Sequence, residues 1–327
     1  MVRPGPLNLI TDVPGLLVGH ATSDSLPTGV TTLLTDDFWS AGVDVRGGGP
    51  GAREINVLSP ENTVGRLHAI SLSGGSVFGL AAADGVVSAL SSQDIGLRLI
   101  EGAPAVPIVP GAVLFDLSAD TRWDGEPPYR DLGRASIAAA SRRFALGSVG
   151  AGRGAQAGVV KGGVGSASLD LGDGLIVGAL VAANPVGSVY MADGQTFWAW
   201  PFEIDGEFGG HRPGHLPAAI DPVPEQSRLG TLGRLRPGTN TTLAIVAVSA
   251  ELSTSECTRL AIMAQDGLAR AIRPIHTPLD GDIVFAVAKG APLTSNLMDR
   301  CVQLARIGSA AADCLTRAIA RAVFHAR

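Results

Sequence analysis

Thr241 and Thr242 stand between a small-residue loop, Pro237 to Asn240, and a short β-branched apolar run, Leu243 to Val248. Such a run reads as a buried strand, so Thr241 falls at a strand mouth where its hydroxyl is held rigidly. If the Asn240–Thr241 peptide bond breaks, Thr241 carries a hydroxyl and a free amine within one residue, the most compact nucleophile-and-base pair a chain can supply. An α-amine titrates near ~8, so a useful fraction is neutral at physiological pH. The same hydroxyl must first attack the Asn240 carbonyl. An N-to-O acyl shift gives an ester that water opens, leaving residues 1–240 and 241–327. The uncut chain has no amine at Thr241, so another group must take the proton in that step. The plain alternative is a pair of good β-formers after a turn.

Other residues have types suited to this chemistry. Asp280 and Asp282 flank Gly281 just ahead of another apolar run, Ile283 to Ala288. At i and i+2 of an extended segment the two carboxylates point the same way, and their repulsion raises one pKa to make a proton-handling pair. Equally, Asp-Gly-Asp forms an ordinary turn with solvated carboxylates. Lys161 is isolated among small residues from Ala151 through Ser168. It has room to approach another group and stabilise negative charge, or it faces solvent. Asn184, in Ala-Ala-Asn-Pro at a strand end, can donate its amide to a tetrahedral oxyanion or simply form an Asn-Pro turn.

Several other signals carry less. Gly150-Ala151-Gly152-Arg153-Gly154 lacks the following helix and βαβ frame of a dinucleotide loop. Ser73-Gly74-Gly75-Ser76 reads as a tight turn near a pocket wall. Asn240-Thr241-Thr242 matches a glycosylation sequon without a secretion signal. His20, His68, His211, His215, His276 and His325 show no metal spacing, and neither metal nor cofactor is implied.

The elements that must position these residues follow from pattern and composition. The 327 residues suffice for a sizeable core; 46% are hydrophobic and only 17% charged, with net charge −5. That charge excludes the basic footprint of nucleic-acid or acidic-membrane binding. Glycine, at 43 residues, is about twice its usual share of roughly 7%. Scattered without a period, it implies tight turns and close backbone contacts. Low charge in a glycine- and alanine-rich chain points to surface hidden in a homo-oligomer. Cys257, Cys301 and Cys314 form no cluster and read as buried thiols in a reducing compartment, hence a cytoplasmic protein. No stretch approaches the ~18 apolar residues of a membrane span.

Along the chain, residues 7 to 35 read as short strands. Ser59-Pro60 reads as a helix start leading to His68, and Val77 to Leu90 as a second helix. Strands are expected over 95–100, 105–109, 166–171 and 175–181, and a helix over 132–144. Gln195 to Arg236 is a long loop rich in Pro, Gly and His. Ser253 to Arg273 is a helix capped by Ser253 or Ser255, and Ser295 to Phe324 is a long alanine-rich helix. Strands and helices alternate, giving an α/β class.

Asn240-Thr241-Thr242, Glu256-Cys257-Thr258-Arg259-Leu260, Asp266-Gly267-Leu268-Ala269-Arg270, His276-Thr277 and Asp280-Gly281-Asp282 together resemble the P1 peptidases. That family is related to the L-aminopeptidase/D-esterases and includes the nylon-oligomer hydrolases. The likeness extends upstream through Asp12-Val13-Pro14-Gly15, Val45-Arg46-Gly47-Gly48-Gly49, Leu72-Ser73-Gly74-Gly75-Ser76, Lys161-Gly162-Gly163 and Ala183-Asn184-Pro185. The resemblance implies an αββα sandwich, two sheets between helix layers, forming one domain that cuts itself between Asn240 and Thr241. It implies Thr241 as nucleophile, Asp280 and Asp282 orienting and assisting it, Lys161 within the site, and Asn184 at the oxyanion. Some relatives place a tyrosine near here, whereas Val113-Leu114-Phe115-Asp116 has phenylalanine. The Asn-Thr junction resembles the nylon-oligomer hydrolases, where many aminopeptidase members have Gly-Ser. Linear oligoamides of 6-aminohexanoate are therefore the expected substrates, and a tetramer of cleaved units the expected assembly. Three alternatives stay open: peptide or β-peptide hydrolysis, acyl transfer like that of ornithine acetyltransferases, and an uncut scaffold.

Overall fold

The computed structural model describes residues 2–215, 219–231 and 240–326. The expected loop from Pro237 lies outside the described residues except for Asn240. The strands are β1 (Leu16–Thr22), β2 (Gly29–Val45), β3 (Gly51–Arg53), β4 (Arg66–Ser73), β5 (Gly111–Val113), β6 (Gln156–Ala157), β7 (Val160–Lys161), β8 (Gly163–Asp170), β9 (Ile176–Asn184), β10 (Thr241–Glu251) and β11 (Ile283–Pro292). The helices are α1 (Ala81–Ser92), α2 (Tyr129–Ala138), α3 (Thr254–Ala271) and α4 (Leu297–Phe324).

Strand β10 is buried along nearly its whole length. A run of β-branched residues and alanine has no solvent face to offer and is stable only with both faces covered. It pairs antiparallel with β9 and parallel with β11. Alternate residues divide between two cores. Ala244, Val246 and Val248 pack with Ala179, Val181, Leu260, Leu268 and Leu315 beneath α3 and α4. Leu243, Ile245 and Ala247 point the other way, onto Leu180, Phe285, Val18, Leu33 and Leu72.

The second core lies between two halves of one sheet. The nine-stranded order runs β3-β5-β4-β2-β11-β10-β9-β8, with β1 also on β2. The 17-residue β2 makes the fold-over. Its first part pairs with β1 and β4, and its last part with β11. A small core of Ala69, Ala83, Val86 and Ile137 joins the β4 side to α1 and α2. The layers are therefore αββα as expected, but the two sheets are a single hydrogen-bonded sheet bent through β2. The expected helix at Ser253 starts with a full capping box, Ser253 accepting from the Glu256 amide.

Three local expectations fail for tertiary reasons. Ser59-Pro60-Glu61-Asn62 forms a turn, and His68 lies on β4, because residues 66–73 are drawn into the sheet between β2 and β5. Residues 95–100 and 105–109 make one isolated bridge, Leu97 to Val106, with no strand; the pairing role falls to the short β5 beyond them. Cys257 and Cys314 are buried as expected, but Cys301 is exposed. It lies in the first turns of α4 beside exposed Leu297, Met298 and Val302.

Glycine sets how closely α4 approaches the sheet. A Cβ on Gly165 of β8 would collide with the Ala318 carbonyl oxygen. Gly165→Val is therefore expected to lower unfolding free energy by roughly 3 kcal/mol, the range of an overpacked core, read as a lower urea midpoint with the slope unchanged.

Candidate active site

The mouths of β9, β10 and β11 meet at one place, and backbone pairing brings the site residues there. Thr241 opens β10 and pairs with Asn184, which closes β9. Asn240 bridges in parallel to Asp280, just ahead of β11. Thr241, Asn184, Asp280 and Asp282 are all buried, the two aspartates completely so.

The Asn240 carbonyl is gripped from two sides. The Thr241 Oγ1 hydroxyl donates to it at 2.5 Å, and the Gly281 amide donates to the same oxygen at 2.8 Å. The hydroxyl thus lies against the carbonyl it would have to attack, and a fixed N–H already polarises that carbonyl.

The two carboxylates are satisfied by different groups. Asp280 Oδ1 accepts from the Val186 amide at 3.0 Å. Its Oδ2 accepts from the Thr277 amide at 3.1 Å and the Thr277 hydroxyl at 2.6 Å. Burial, reinforced by the charge of Asp282, pushes the Asp280 carboxyl up to about 6, against the pull of these donors. Asp282 Oδ1 accepts from the Thr242 amide at 2.7 Å. Its Oδ2 accepts from the backbone amide of His276 at 3.2 Å and lies 2.8 Å from the ring Nδ1 of that residue. Each aspartate thus has its own set of partners.

Asn184 is clamped between neighbours. Its Oδ1 accepts from the Gln156 amide at 2.9 Å, and its Nδ2 donates one N–H to the Phe115 carbonyl at 3.1 Å. Phe115, standing where a tyrosine was noted in some relatives, thus enters through its backbone. Lys161 lies one strand pair away. It pairs with Gln156 across the β6–β7 hairpin, and its exposed side chain lines a cavity of about 360 Å³ with Tyr190, Phe197 and His211. The structure brings four of the five expected residues into one buried cluster and sets Lys161 at its edge, tied in through Gln156.

Comparison with known proteins assigns the chain. The model of peptidase family S58 matches residues 8–327. This protein belongs to peptidase family S58. It is similar to an uncharacterized aminopeptidase of Mycobacterium tuberculosis, 42% identical over 98% of this chain and 95% of that protein. A 6-aminohexanoate-oligomer endohydrolase of Agromyces sp. is 32% identical over 84% of this chain and 73% of that one. Among solved structures, a beta-aminopeptidase of Burkholderia sp. matches with a TM-score of 0.67 at 25% identity, covering 98% of this chain and 88% of that one. An L-aminopeptidase D-Ala-esterase/amidase of Ochrobactrum anthropi, described as a variant of the Ntn hydrolase fold, matches with a TM-score of 0.69 at 21% identity over 99% and 88%. This S58 member is thus an amide-bond hydrolase of Ntn-hydrolase fold.

Three parts of this candidate site escape a reading of residue types. The first is the Gly281 amide, a backbone group invisible in sequence. The second is Arg228, whose Nη2 donates to the carbonyls of Gln156 (3.0 Å), Asn184 (3.2 Å) and Pro185 (2.9 Å). Burial pushes this guanidinium down to about 10, and the negative charge of Asp280 opposes that. The third is His276, whose signal was its place in the His-Thr pair just ahead of Asp280. The Gly47-Gly48-Gly49 motif takes its meaning from the same place. Its amides donate to the carbonyls of Asp282, Thr277 and Asp280, zipping the loop onto the aspartate segment.

Asp280 supplies a test with a sign. Thr277→Val keeps the shape and removes the 2.6 Å hydroxyl bond. Hydrogen bonds to charged groups contribute about 1.5–3 kcal/mol. Above about 6 Asp280 is ionised and the full charge-assisted bond is lost; below it only a neutral bond is lost. The stability penalty of Thr277→Val is therefore expected to be larger at pH 8 than at pH 5, measured by urea unfolding at both.

Proposed function

We propose that this S58 peptidase is a self-processing N-terminal-threonine amide hydrolase acting on linear oligoamides of the 6-aminohexanoate type. The observation that carries the reading is the Asn240 carbonyl held between the Thr241 hydroxyl and the Gly281 amide. In the first step Thr241 Oγ1 attacks the Asn240 carbonyl carbon and Asp280 takes the hydroxyl proton. The oxyanion forms on the atom that Gly281 N–H already meets. The C–N bond then breaks, the Thr241 nitrogen leaves as an amine on the proton that Asp280 returns, and water opens the ester to leave a carboxylate on Asn240. The chain is then 1–240 and 241–327. In turnover the free amine of Thr241 serves as base. The hydroxyl gives its proton to that amine and attacks the substrate amide carbon, while the second N–H of Asn184 and Lys161 stabilise the oxyanion. The substrate C–N bond breaks, its nitrogen leaves as an amine carrying that proton, and water opens the acyl ester to release the acid. Asp282, bonded to the Thr242 amide, fixes the start of β10 throughout.

Substrate choice is supported from two directions. The Asn-Thr junction and the 32% identical endohydrolase favour oligoamides of 6-aminohexanoate. The 42% identical relative, an uncharacterized aminopeptidase by name, favours peptides with a free amino end as a second reading. The exposed apolar residues Leu297, Met298 and Val302 on α4 support a homo-oligomer, with a tetramer of cleaved units as the working size. The free thiols support a reducing, cytoplasmic setting.

Purified protein is expected to run as two pieces on a denaturing gel, with intact masses matching residues 1–240 and 241–327. Thr241→Ala is expected to stay whole and inactive; a whole, fully active wild-type chain overturns the reading. A Cβ on Gly281 would fall 2.7 Å from Thr241 Oγ1. The same Cβ would meet the Gly49 carbonyl oxygen at 2.7 Å, so the segment carrying the Gly281 amide must shift. Gly281→Ala is thus expected to slow self-cleavage by roughly 10²-fold, the cost of one oxyanion donor moved out of place. Lys161→Ala and Asp282→Asn are expected to slow turnover. A panel of 6-aminohexanoate oligomers, α-peptides and β-peptides, scored by kcat/KM, decides between the two substrate readings.

A further inference from the structure

His276 holds an unusual place for a residue with no assigned role. Its backbone is left-handed, φ 55°, a region that non-glycine residues seldom occupy and that the surroundings must hold in place. That conformation aims both its backbone amide and its ring Nδ1 at one oxygen, Asp282 Oδ2, at 3.2 and 2.8 Å. The other oxygen of Asp282 takes the Thr242 amide, the first peptide N–H after the nucleophile. Two of these three groups are backbone amides, which only donate, so the carboxylate is the acceptor and Nδ1 carries the ring proton. The other ring nitrogen, Nε2, is buried with no partner among the described residues.

Among the titratable and charged groups nearby, His276 is the side chain in direct contact with Asp282. Asp280, two residues before it, adds negative charge. Arg228, from the segment crossing Asn184 and Pro185, answers Asp280. Arg46, on the glycine loop, is committed to Asp44 and the Ile262 carbonyl.

We propose that His276 is a positioning residue of this site: its Nδ1–H holds Asp282 as the carboxylate that fixes the Thr242 amide and so aims the Thr241 hydroxyl. The division of labour follows. Asp282 stays in place as a hydrogen-bond acceptor, and Asp280 is left to exchange the proton. This rests on the self-processing reading above.

The test follows self-cleavage of freshly synthesised chain. His276→Asn places an amide N–H near the position of Nδ1 and is expected to cut at close to the wild-type rate. His276→Phe removes the donor from Asp282 Oδ2 and is expected to cut roughly tenfold more slowly, the worth of about one hydrogen bond. A His276→Phe chain that cuts at the wild-type rate overturns the proposal. So does an Asn variant as impaired as Phe, since Nε2 would then be doing the chemistry. If His276→Phe does not fold, ¹⁵N NMR of the histidine ring in uncut Thr241→Ala protein decides. A proton on Nδ1 and none on Nε2 at pH 7 supports the proposal, and the opposite tautomer overturns it. A wild-type chain that never cuts sinks the self-processing reading separately, while the NMR measurement still judges the His276–Asp282 contact.

Discussion

The constraint on which the rest depends is that polar groups at the mouths of β9, β10 and β11 are buried and must be satisfied there. Two carboxylates with no exposure cannot be left without donors, since an unpaired buried charge is far costlier than a surface one. Val186 and Thr277 serve Asp280; Thr242 and His276 serve Asp282. Each donor belongs to a loop or strand end, so satisfying the carboxylates also fixes the geometry around the Asn240–Thr241 bond. Stability and chemistry draw on the same hydrogen bonds.

The bent sheet makes such a site possible. Because β2 carries one sheet through two layers, the apolar face of β10 meets the β1–β2–β4 side while its other face meets α3 and α4. The strand is immobilised on both sides, and its first residue inherits that rigidity. The glycine loop at residues 47–49 reaches the aspartate segment from β2, so the two halves of the sheet are tied together at the site itself. The close approach of α4 to β8 at Gly165 belongs to the same economy of small residues, which lets backbones approach where side chains would hold them apart.

Burial also changes what an aspartate can do here. Desolvation and the charge of Asp282 raise Asp280 to about 6. A carboxyl near 6 can take and return a proton around neutral pH, which a solvated aspartate does poorly. Lys161, read from sequence as part of the site, stands exposed at its edge, because a hairpin of two-residue strands gives it no layer to be buried under.

Much was legible beforehand. The β-branched runs at 243–248 and 283–288 named the two central strands, the Ser253 cap and the alanine-rich stretch after Ser295 named α3 and α4, and the order of motifs named the family, because period and capping are local properties of the chain. The sequence by itself determined which residue types were present to do chemistry: a threonine at a strand mouth, two aspartates, an asparagine, a lysine. Tertiary structure alone decided that the Gly281 amide faces the Asn240 carbonyl, that Arg228 crosses Asn184, that His276 turns left-handed onto Asp282, and that residues 66–73 become a strand. These are contacts between segments far apart in the chain or between backbone groups, and neither leaves a mark in residue type or spacing.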